Sequence, residues 1–280
     1  MPELPEVETI RRGLERHVLG RTIVGVKSYG ERVVRRAPQG LEPLKNSRIS
    51  AVVRRGKFLW FDLGDAALVA HLGMSGQFRL GGCVRHTRAV LTLDDGQRLI
   101  FADQRTFGYL APDFWAPSAV PGGEGSQRCA IPSMVQHIAR DLLDPALDRQ
   151  RLSERTCRKK TPIKTALLDQ TLVSGIGSIY ADEALFAARI HPLRPANTLT
   201  GQSVFHLYTE ASAVLEAALM VGGTSFDALY VGVDGETGYF EISLQAYGRS
   251  GRPCSRCGNT LETLRISGRS AVFCPFCQPL

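Results

Sequence analysis

RAVLTLDDGQRLIFAD, residues 88–103, holds two alternating apolar runs around Asp94-Asp95-Gly96-Gln97. Alternation at period two predicts strands with one buried face, and an Asp-Gly pair between them predicts an antiparallel hairpin. Outward from it, VRRGKFLWFDLG (53–64) and ALVAHLGMSGQFRL (67–80) are also apolar and bounded by turn residues. From about residue 21 to 116 the chain therefore reads as a β-sandwich or barrel of about eight strands.

Before the strands, residues 5–19 read as a helix. Val7, Ile10, Leu14 and Val18 recur at helical spacing, Pro5 suits the first turn, and Gly20 suits the stop. Leu4 precedes a proline and is biased towards extended geometry, which leaves Pro2-Glu3 as a stub at a helix N-terminus. After the strands, PSAVPGGEGSQRCAIP (117–132) reads as a loop leading to a domain linker. Helical signals then run through SMVQHIARDLLDPAL (133–147), IKTALLDQTLV (163–173), SIYADEALFAARI (178–190) and SVFHLYTEASAVLEAALMV (203–221). GGTSFDALYVGVDGETGYF (222–240) is glycine-rich and reads as a mobile loop.

The composition narrows the function. With 280 residues, 44% hydrophobic and 22% charged, the chain is long enough for two packed domains and a small appendage. A net charge of +7 favours a polyanionic partner. No apolar run approaches the roughly 20 residues that span a bilayer, and the acidic start lacks the apolar core of a signal peptide. The expected location is the cytoplasm, where disulfides are rare.

Four of the seven cysteines crowd into the tail as Cys254-x2-Cys257 and Cys274-x2-Cys277, sixteen residues apart. Two such turns can close a tetrahedron of thiolates around one Zn2+. A redox CxxC would need a single pair in a βαβ setting. Four thiolates leave no open coordination position, so the zinc ion is expected to be structural. LRISGRSAVFC (264–274) between the pairs reads as a β-hairpin displaying Arg265 and Arg269, with Arg249, Arg252 and Arg256 near by. A basic hairpin of this kind reads either as a phosphate contact or as a solvated surface.

Gly175 and Gly177 form a turn between two helical stretches, followed by Ser178 as a fair N-cap and by Asp182 and Glu183. Amides at such a helix start can hold a phosphate, though a plain helix–helix turn fits equally. The basic run RKKTPIK upstream (Arg158, Lys159, Lys160, Lys164) favours the phosphate. At the N-terminus, removal of Met1 would leave Pro2 as a terminal secondary amine. An α-amino group has a pKa near 8, and a cation such as Lys57 would lower it further. Such an amine can attack a sugar C1′ and form an iminium ion, with Glu3 beside it as proton donor and Glu6 one helical turn on. PELPEVE taken alone also reads as no more than a helix start with well-placed acids.

MPELPEVETIRRGL resembles the N-terminal signature of the formamidopyrimidine-DNA glycosylase family. The likeness continues through KFLWFDL, HLGMSG, DQRTFG, KKTPIK, SGIGSIYADEALFAARIHP, GGTSFDALYV, DGETGYF, QAYGRSGRPCSRCG and FCPFCQ, in order along the whole chain. It implies an α+β, multidomain protein. An N-terminal catalytic β-sandwich domain with its leading helix would span 1–132, a helical helix–two-turns–helix DNA-binding domain 133–236, and a four-cysteine zinc finger of β-hairpin type 237–280.

The resemblance also implies a monomeric bacterial repair enzyme acting on double-stranded DNA that carries oxidised bases or abasic sites. It would be found at the nucleoid when bound. It would excise 8-oxoguanine or formamidopyrimidine and cleave the strand by β,δ-elimination. Pro2 would be the Schiff-base nucleophile, Glu3 the general acid, Glu6 a supporting carboxylate and Lys57 the active-site lysine. Met74, Arg105 and Phe107 would fill the space left by the flipped base. Arg269, His71 and Lys160 would contact the backbone, and the 222–239 loop would fold over the base. Ser178 stands where the family commonly has asparagine, which shortens the reach to one phosphate. Gln104 and Thr106 also depart from the usual proline and second basic residue.

Two other readings compete. An endonuclease VIII-type glycosylase for oxidised pyrimidines shares Pro2, Glu3, Lys57 and the finger. A non-enzymatic zinc-finger DNA-binding protein accounts for the charge and the cysteines and leaves the N-terminus unexplained.

Overall fold

The computed structural model describes residues 2–224, 233 and 243–280. The expected removal of Met1 and most of the 222–239 loop, all but residues 222–224 and 233, therefore lie outside the described residues. The chain divides into two compact units, Met1–His137 with Val221–Tyr239, and Ile138–Met220 with Phe240–Leu280.

The first unit opens with α1 (Leu4–Val18). Leu4 is already helical, because the extended residue is Glu3, which occupies the cap position with φ −106° and ψ −167°. Then follow β1 (Ile23–Ser28), β2 (Ala51–Arg55), β3 (Phe58–Asp62), β4 (Ala67–His71), β5 (Gly76–Leu80), β6 (Thr87–Leu93), β7 (Arg98–Asp103), β8 (Tyr109–Asp113), β9 (Trp115–Pro117) and β10 (Ala130–Pro132). Two four-stranded sheets result, in the orders β1-β6-β7-β5 and β2-β3-β4-β8. The hairpin read from 88–103 pairs Leu91 with Leu99 and turns at Gly96, whose φ is +81°.

Leu59, Phe61, Leu68 and Ala70 of one sheet share a core with Phe78, Leu91, Leu99 and Phe101 of the other, closed by Val7, Ile10, Leu14 and Val18 of α1. The expected β-sandwich with a leading helix is the observed arrangement. The loop read at 117–132 is fastened to the first unit: its flanks pair as β9 and β10, and Glu124 bridges Arg54. Gly122 and Gly123 lie so close to the Trp60 ring that an added Cβ would sit 3.3 and 3.2 Å from it. This strap covers the outer face of the second sheet.

A buried ion cluster fastens α1 to β2. Glu8 Oε2 accepts from Arg54 Nε at 2.8 Å and from Arg11 Nε at 3.0 Å. Arg11 also donates to the Val52 carbonyl. Burial alone would raise the Glu8 pKa, but the two guanidinium groups outweigh it and hold it below the usual carboxylate value. Stability from this group is therefore present at neutral pH and is lost as the pH falls below the ordinary carboxylate range. Glu8→Ala removes the buried carboxylate that the two guanidinium groups share and is expected to cost about 3–5 kcal/mol, measured by denaturant unfolding.

The second unit holds α2 (Arg149–Cys157), α3 (Ile163–Leu167), α4 (Ser178–Ala187), α5 (Gly201–Met220) and the hairpin β11 (Glu262–Ile266) and β12 (Arg269–Phe273). The helix expected over 133–147 is absent apart from one short 3-10 turn, Ser133–Val135. Asp141 and Asp144 accept from the amides of Leu143 and Ala146, two residues on, and this local turn bonding competes with helix. The helix of 163–173 stops at Leu167, where Asp169 takes the Thr171 amide in the same way. The α2 helix went unread, since its sequence RQRLSERTC has almost no apolar stripe.

Candidate active site and nucleic-acid interface

In the first unit, Pro2 is buried and Glu3 is 3% exposed, at the positive end of α1. Glu6 organises this end. Its Oε2 accepts from the Glu3 amide at 2.8 Å, and its Oε1 accepts from the Thr224 amide at 2.7 Å and hydroxyl at 3.0 Å. Gly223 packs so closely that an added Cβ would lie 2.6 Å from Glu6 Oε1. A carboxylate held by three donors is a fixed support, and it ties the start of the chain to the residues that lead into 225–232.

Lys57 occupies the two-residue turn Gly56-Lys57 between β2 and β3 and is 8% exposed. Gly56 has φ +57°, as a hairpin with glycine first in its turn requires. His71, at the end of β4, lies with its ring centroid 4.8 Å from Phe58 and stacks on Tyr109. Burial, then the charges of Lys57, Arg35 and Arg36, push its pKa down to about 4. Its Nδ1 accepts from the Gly73 amide, so the neutral ring carries its proton on Nε2.

Met74 and Phe107 are exposed at 43% and 55%, unusual for large apolar side chains. Arg105 is exposed beside them, its guanidinium 4.0 Å from the Met74 sulfur. The loop that carries Arg105 and Phe107 is secured from two sides. Asp103 accepts from the Gly108 amide at 2.7 Å, and Arg35 donates to the carbonyls of Phe107 at 2.7 Å and Gly108 at 2.6 Å.

In the second unit, Gly175 has φ +90° and its amide donates to Gln170 Oε1, while Gln170 Nε2 donates to the Ile176 carbonyl. This clamp shapes the turn that delivers Gly177 and a half-buried Ser178 to the start of α4. Asp182 and Glu183 do not serve the first turn as their positions had suggested; both are buried acceptors. Glu183 takes the amides of Gln245, Ala246 and Tyr247 at 2.8–2.9 Å. Asp182 takes Lys164 Nζ at 2.6 Å and the Val272 amide at 3.2 Å. Burial pushes the Asp182 carboxyl up to about 6 against the opposing pull of Lys164.

Lys164 is fully buried and also donates to the Ser270 carbonyl, so it fastens the hairpin and is not a phosphate contact. Lys159 pairs with Asp169, while Lys160 is exposed. Arg265 and Arg269 are exposed on the hairpin, whose turn Ser267-Gly268 has φ of +49° and +78°. Arg256 is exposed as well, but its guanidinium donates to the carbonyls of Phe186 and Ala187 at the end of α4.

The sulfur atoms of Cys254, Cys257, Cys274 and Cys277 all lie within 4.8 Å of one another. The amides of Arg256 and Cys277 donate to the sulfurs of Cys254 and Cys274 at 3.4 Å. Tetrahedral zinc with Zn–S bonds near 2.3 Å needs sulfurs about 3.8 Å apart, so the cluster fits the ion.

The model of the formamidopyrimidine-DNA glycosylase N-terminal domain matches residues 1–110, and that of the formamidopyrimidine-DNA glycosylase H2TH domain matches 138–229. The chain belongs to the formamidopyrimidine-DNA glycosylase family. A zinc finger found in FPG and IleRS matches residues 251–280. The formamidopyrimidine-DNA glycosylase of Mycolicibacterium smegmatis is 49% identical over all of this chain and 98% of its own length. That of Acidothermus cellulolyticus is 47% identical over 100% and 98%. The MutM (Fpg) protein of Thermus thermophilus superposes with a TM-score of 0.84 at 38% identity, covering 99% of this chain and 98% of that one. A Lactococcus lactis Fpg variant, solved with Fapy-dG-containing DNA, gives 0.84 at 32% identity with full coverage of both chains.

As a formamidopyrimidine-DNA glycosylase family member, the protein is a base excision repair enzyme, a DNA glycosylase and abasic-site lyase, and its partner is DNA. Its four tail cysteines hold one structural zinc ion. Among the described residues, no helix is long and apolar enough to cross a membrane. The residues that sequence reading passed over are internal supports of this glycosylase: Asp103, Arg35 and Gln170. Each bonds backbone groups, a role that leaves no periodic signal in a sequence.

Proposed function

We propose that the protein excises oxidised purines, 8-oxoguanine and formamidopyrimidines, from duplex DNA through a Schiff base at Pro2 and then cleaves the strand by β,δ-elimination. The observation that carries this reading is the buried Pro2-Glu3 end of α1, its backbone held by Glu6. Freed of Met1, the Pro2 nitrogen attacks C1′ of the lesion nucleotide. The C1′–N bond breaks and the base leaves with a proton. Glu3 protonates the ring oxygen as the sugar opens, leaving an iminium ion between Pro2 and C1′. Loss of a C2′ proton expels the 3′ phosphate, and a second elimination expels the 5′ phosphate. Lys57 supplies positive charge near the amine and the lesion's phosphates. Met74, Arg105 and Phe107 occupy the hole left by the base, and the unusual exposure of Met74 and Phe107 supports that role. A neutral His71 donates through Nε2 to the backbone without a proton cost between pH 5 and 8.

Structures of similar proteins contain Fapy-dG, abasic-site and carbocyclic 8-oxo-G DNA, which favours the purine branch. The deciding experiment compares borohydride trapping on 8-oxoguanine opposite cytosine with trapping on thymine glycol, using the untagged chain. A strong preference for 8-oxoguanine is expected. A preference for thymine glycol would assign the protein to oxidised pyrimidines, and no adduct on either would leave a DNA binder.

In the second unit, Lys160, Arg269 and the amides at Gly177-Ser178 hold phosphates of the same DNA, bound by a single copy of the protein. Serine offers one short donor where the longer asparagine amide would reach further. Ser178→Asn is expected to tighten binding to abasic-site DNA by about three- to tenfold, the worth of one modest hydrogen bond, measured by fluorescence anisotropy.

A further inference from the structure

Met74 lies on the turn after β4, and Arg105 and Phe107 on the turn after β7. Two side chains join these turns at their base. Ser75 Oγ donates its one proton to Asp103 Oδ1 at 2.6 Å and accepts the Arg105 amide at 3.0 Å. Asp103, 1% exposed, accepts the Arg105 amide at 3.2 Å with the same Oδ1 and the Gly108 amide at 2.7 Å with Oδ2. One hydroxyl on the first turn is therefore bonded to both Asp103 and the Arg105 amide of the second.

The two turns are also in steric contact. Gly73 has φ +62°, and a Cβ there would lie 2.6 Å from the Gly108 nitrogen and from the Phe107 carbonyl carbon. The second loop holds Thr106 at φ +55°, a conformation that costs free energy in a residue branched at Cβ and persists where surrounding bonds over-determine it. Asp103 supplies those bonds on the donor side of the loop, and Arg35 supplies them on the carbonyl side.

We infer that Ser75 and Asp103 are positioning residues that couple the Met74 turn to the Arg105–Phe107 loop, so that the three side chains enter the DNA as one preassembled wedge. The inference rests on the void-filling reading given above. Three independently mobile side chains would each lose freedom on insertion, whereas a wedge ordered beforehand avoids much of that loss.

The test follows 2-aminopurine placed beside 8-oxoguanine in stopped-flow fluorescence with the full chain. Ser75→Ala should slow the insertion phase about tenfold, the effect of one lost hydrogen bond of ordinary strength. The lost hydrogen bond lowers its melting temperature by a few degrees, but its final borohydride-trapped yield on abasic-site DNA should match the unaltered chain. A merely structural role would lower that yield as well. A double-mutant cycle supplies a measurement independent of Ser75: Met74→Ala and Phe107→Ala should be strongly non-additive in the insertion rate. The coupling is overturned if Phe107→Ala slows insertion while Ser75→Ala does not, or if the two truncations multiply as independent effects. If Phe107→Ala itself leaves insertion unchanged, the void-filling reading fails first and the coupling with it.

Discussion

A chain extended by one residue before Pro2 gives no borohydride-trapped adduct with 8-oxoguanine DNA above background, while still binding an abasic-site duplex; this is the largest loss expected from any change considered. The extension turns the Pro2 nitrogen into an amide, whose lone pair is delocalised into the carbonyl and no longer attacks carbon. A free terminal amine with a pKa near 8 is by contrast partly unprotonated at neutral pH. Pro2→Gly tests a finer point. Its primary amine can still form an imine, but that imine must hold a proton to act as an electron sink, whereas the iminium on proline is cationic by construction. Pro2→Gly should therefore keep some adduct and lose most of the excision rate, about a hundredfold or more, in the range typical of a displaced acid–base function. Intact mass spectrometry of each preparation reports whether Met1 is absent. Normal excision by the extended chain would transfer the nucleophile to another group.

The second large effect concerns the metal. Removing zinc with a chelator, or replacing Cys274 by serine, is expected to unfold the tail and weaken DNA binding by more than about a hundredfold at physiological salt. The reason is the size of the core that would remain. Phe186, Ala246, Cys254, Leu261, Val272 and Cys274 form the buried cluster, with Cys257 and Cys277 at its margin, so four of its eight members are the ligands themselves. Structural zinc contributes about 10–16 kcal/mol to small domains of this kind, far more than so few apolar contacts. Without it, the strands that carry Arg269 keep only their own ladder and the two anchors from Lys164 and Asp182 to β12, and an isolated two-stranded ribbon is marginal in water. Circular dichroism and anisotropy titrations on the same sample check both halves. Full affinity in the metal-free protein would overturn the assignment of Arg269 to a phosphate.

What could be read from the residues alone was whatever repeats or pairs along the chain. The 88–103 hairpin, the α1 stripe and the two CxxC turns are local patterns, and each became the element it predicted. The misreadings share a cause. In 133–147 the apolar spacing was helical, but Asp141 and Asp144 turned the backbone back on their own neighbours. At 117–132 the glycines read as loop residues, yet Gly122 and Gly123 answer to packing: an added Cβ would lie 2.4 and 2.3 Å from the Ala130 and Arg54 carbonyl oxygens. Lys164 looked like part of a basic patch and is the most buried cation of its unit's described residues, since Asp182 meets it from a helix 18 residues on. Contacts across such separations leave no mark in composition or periodicity. The site residues were named through likeness to a family, and their supports, Ser75, Asp103 and Arg35 among them, became visible only in three dimensions.

The glycine strap over Trp60 has a practical side. The chain contains two tryptophans, Trp60 and Trp115, and both belong to the first unit. The first is sealed under the strap, and the second donates from its indole to the Gly64 carbonyl beneath the Arg128 guanidinium. Tryptophan emission, excited at wavelengths where the tyrosines of the second unit do not absorb, is therefore a private signal of the first unit. Paired with a colorimetric dye for liberated zinc, it allows the two halves of the molecule to be melted in one cuvette and timed separately.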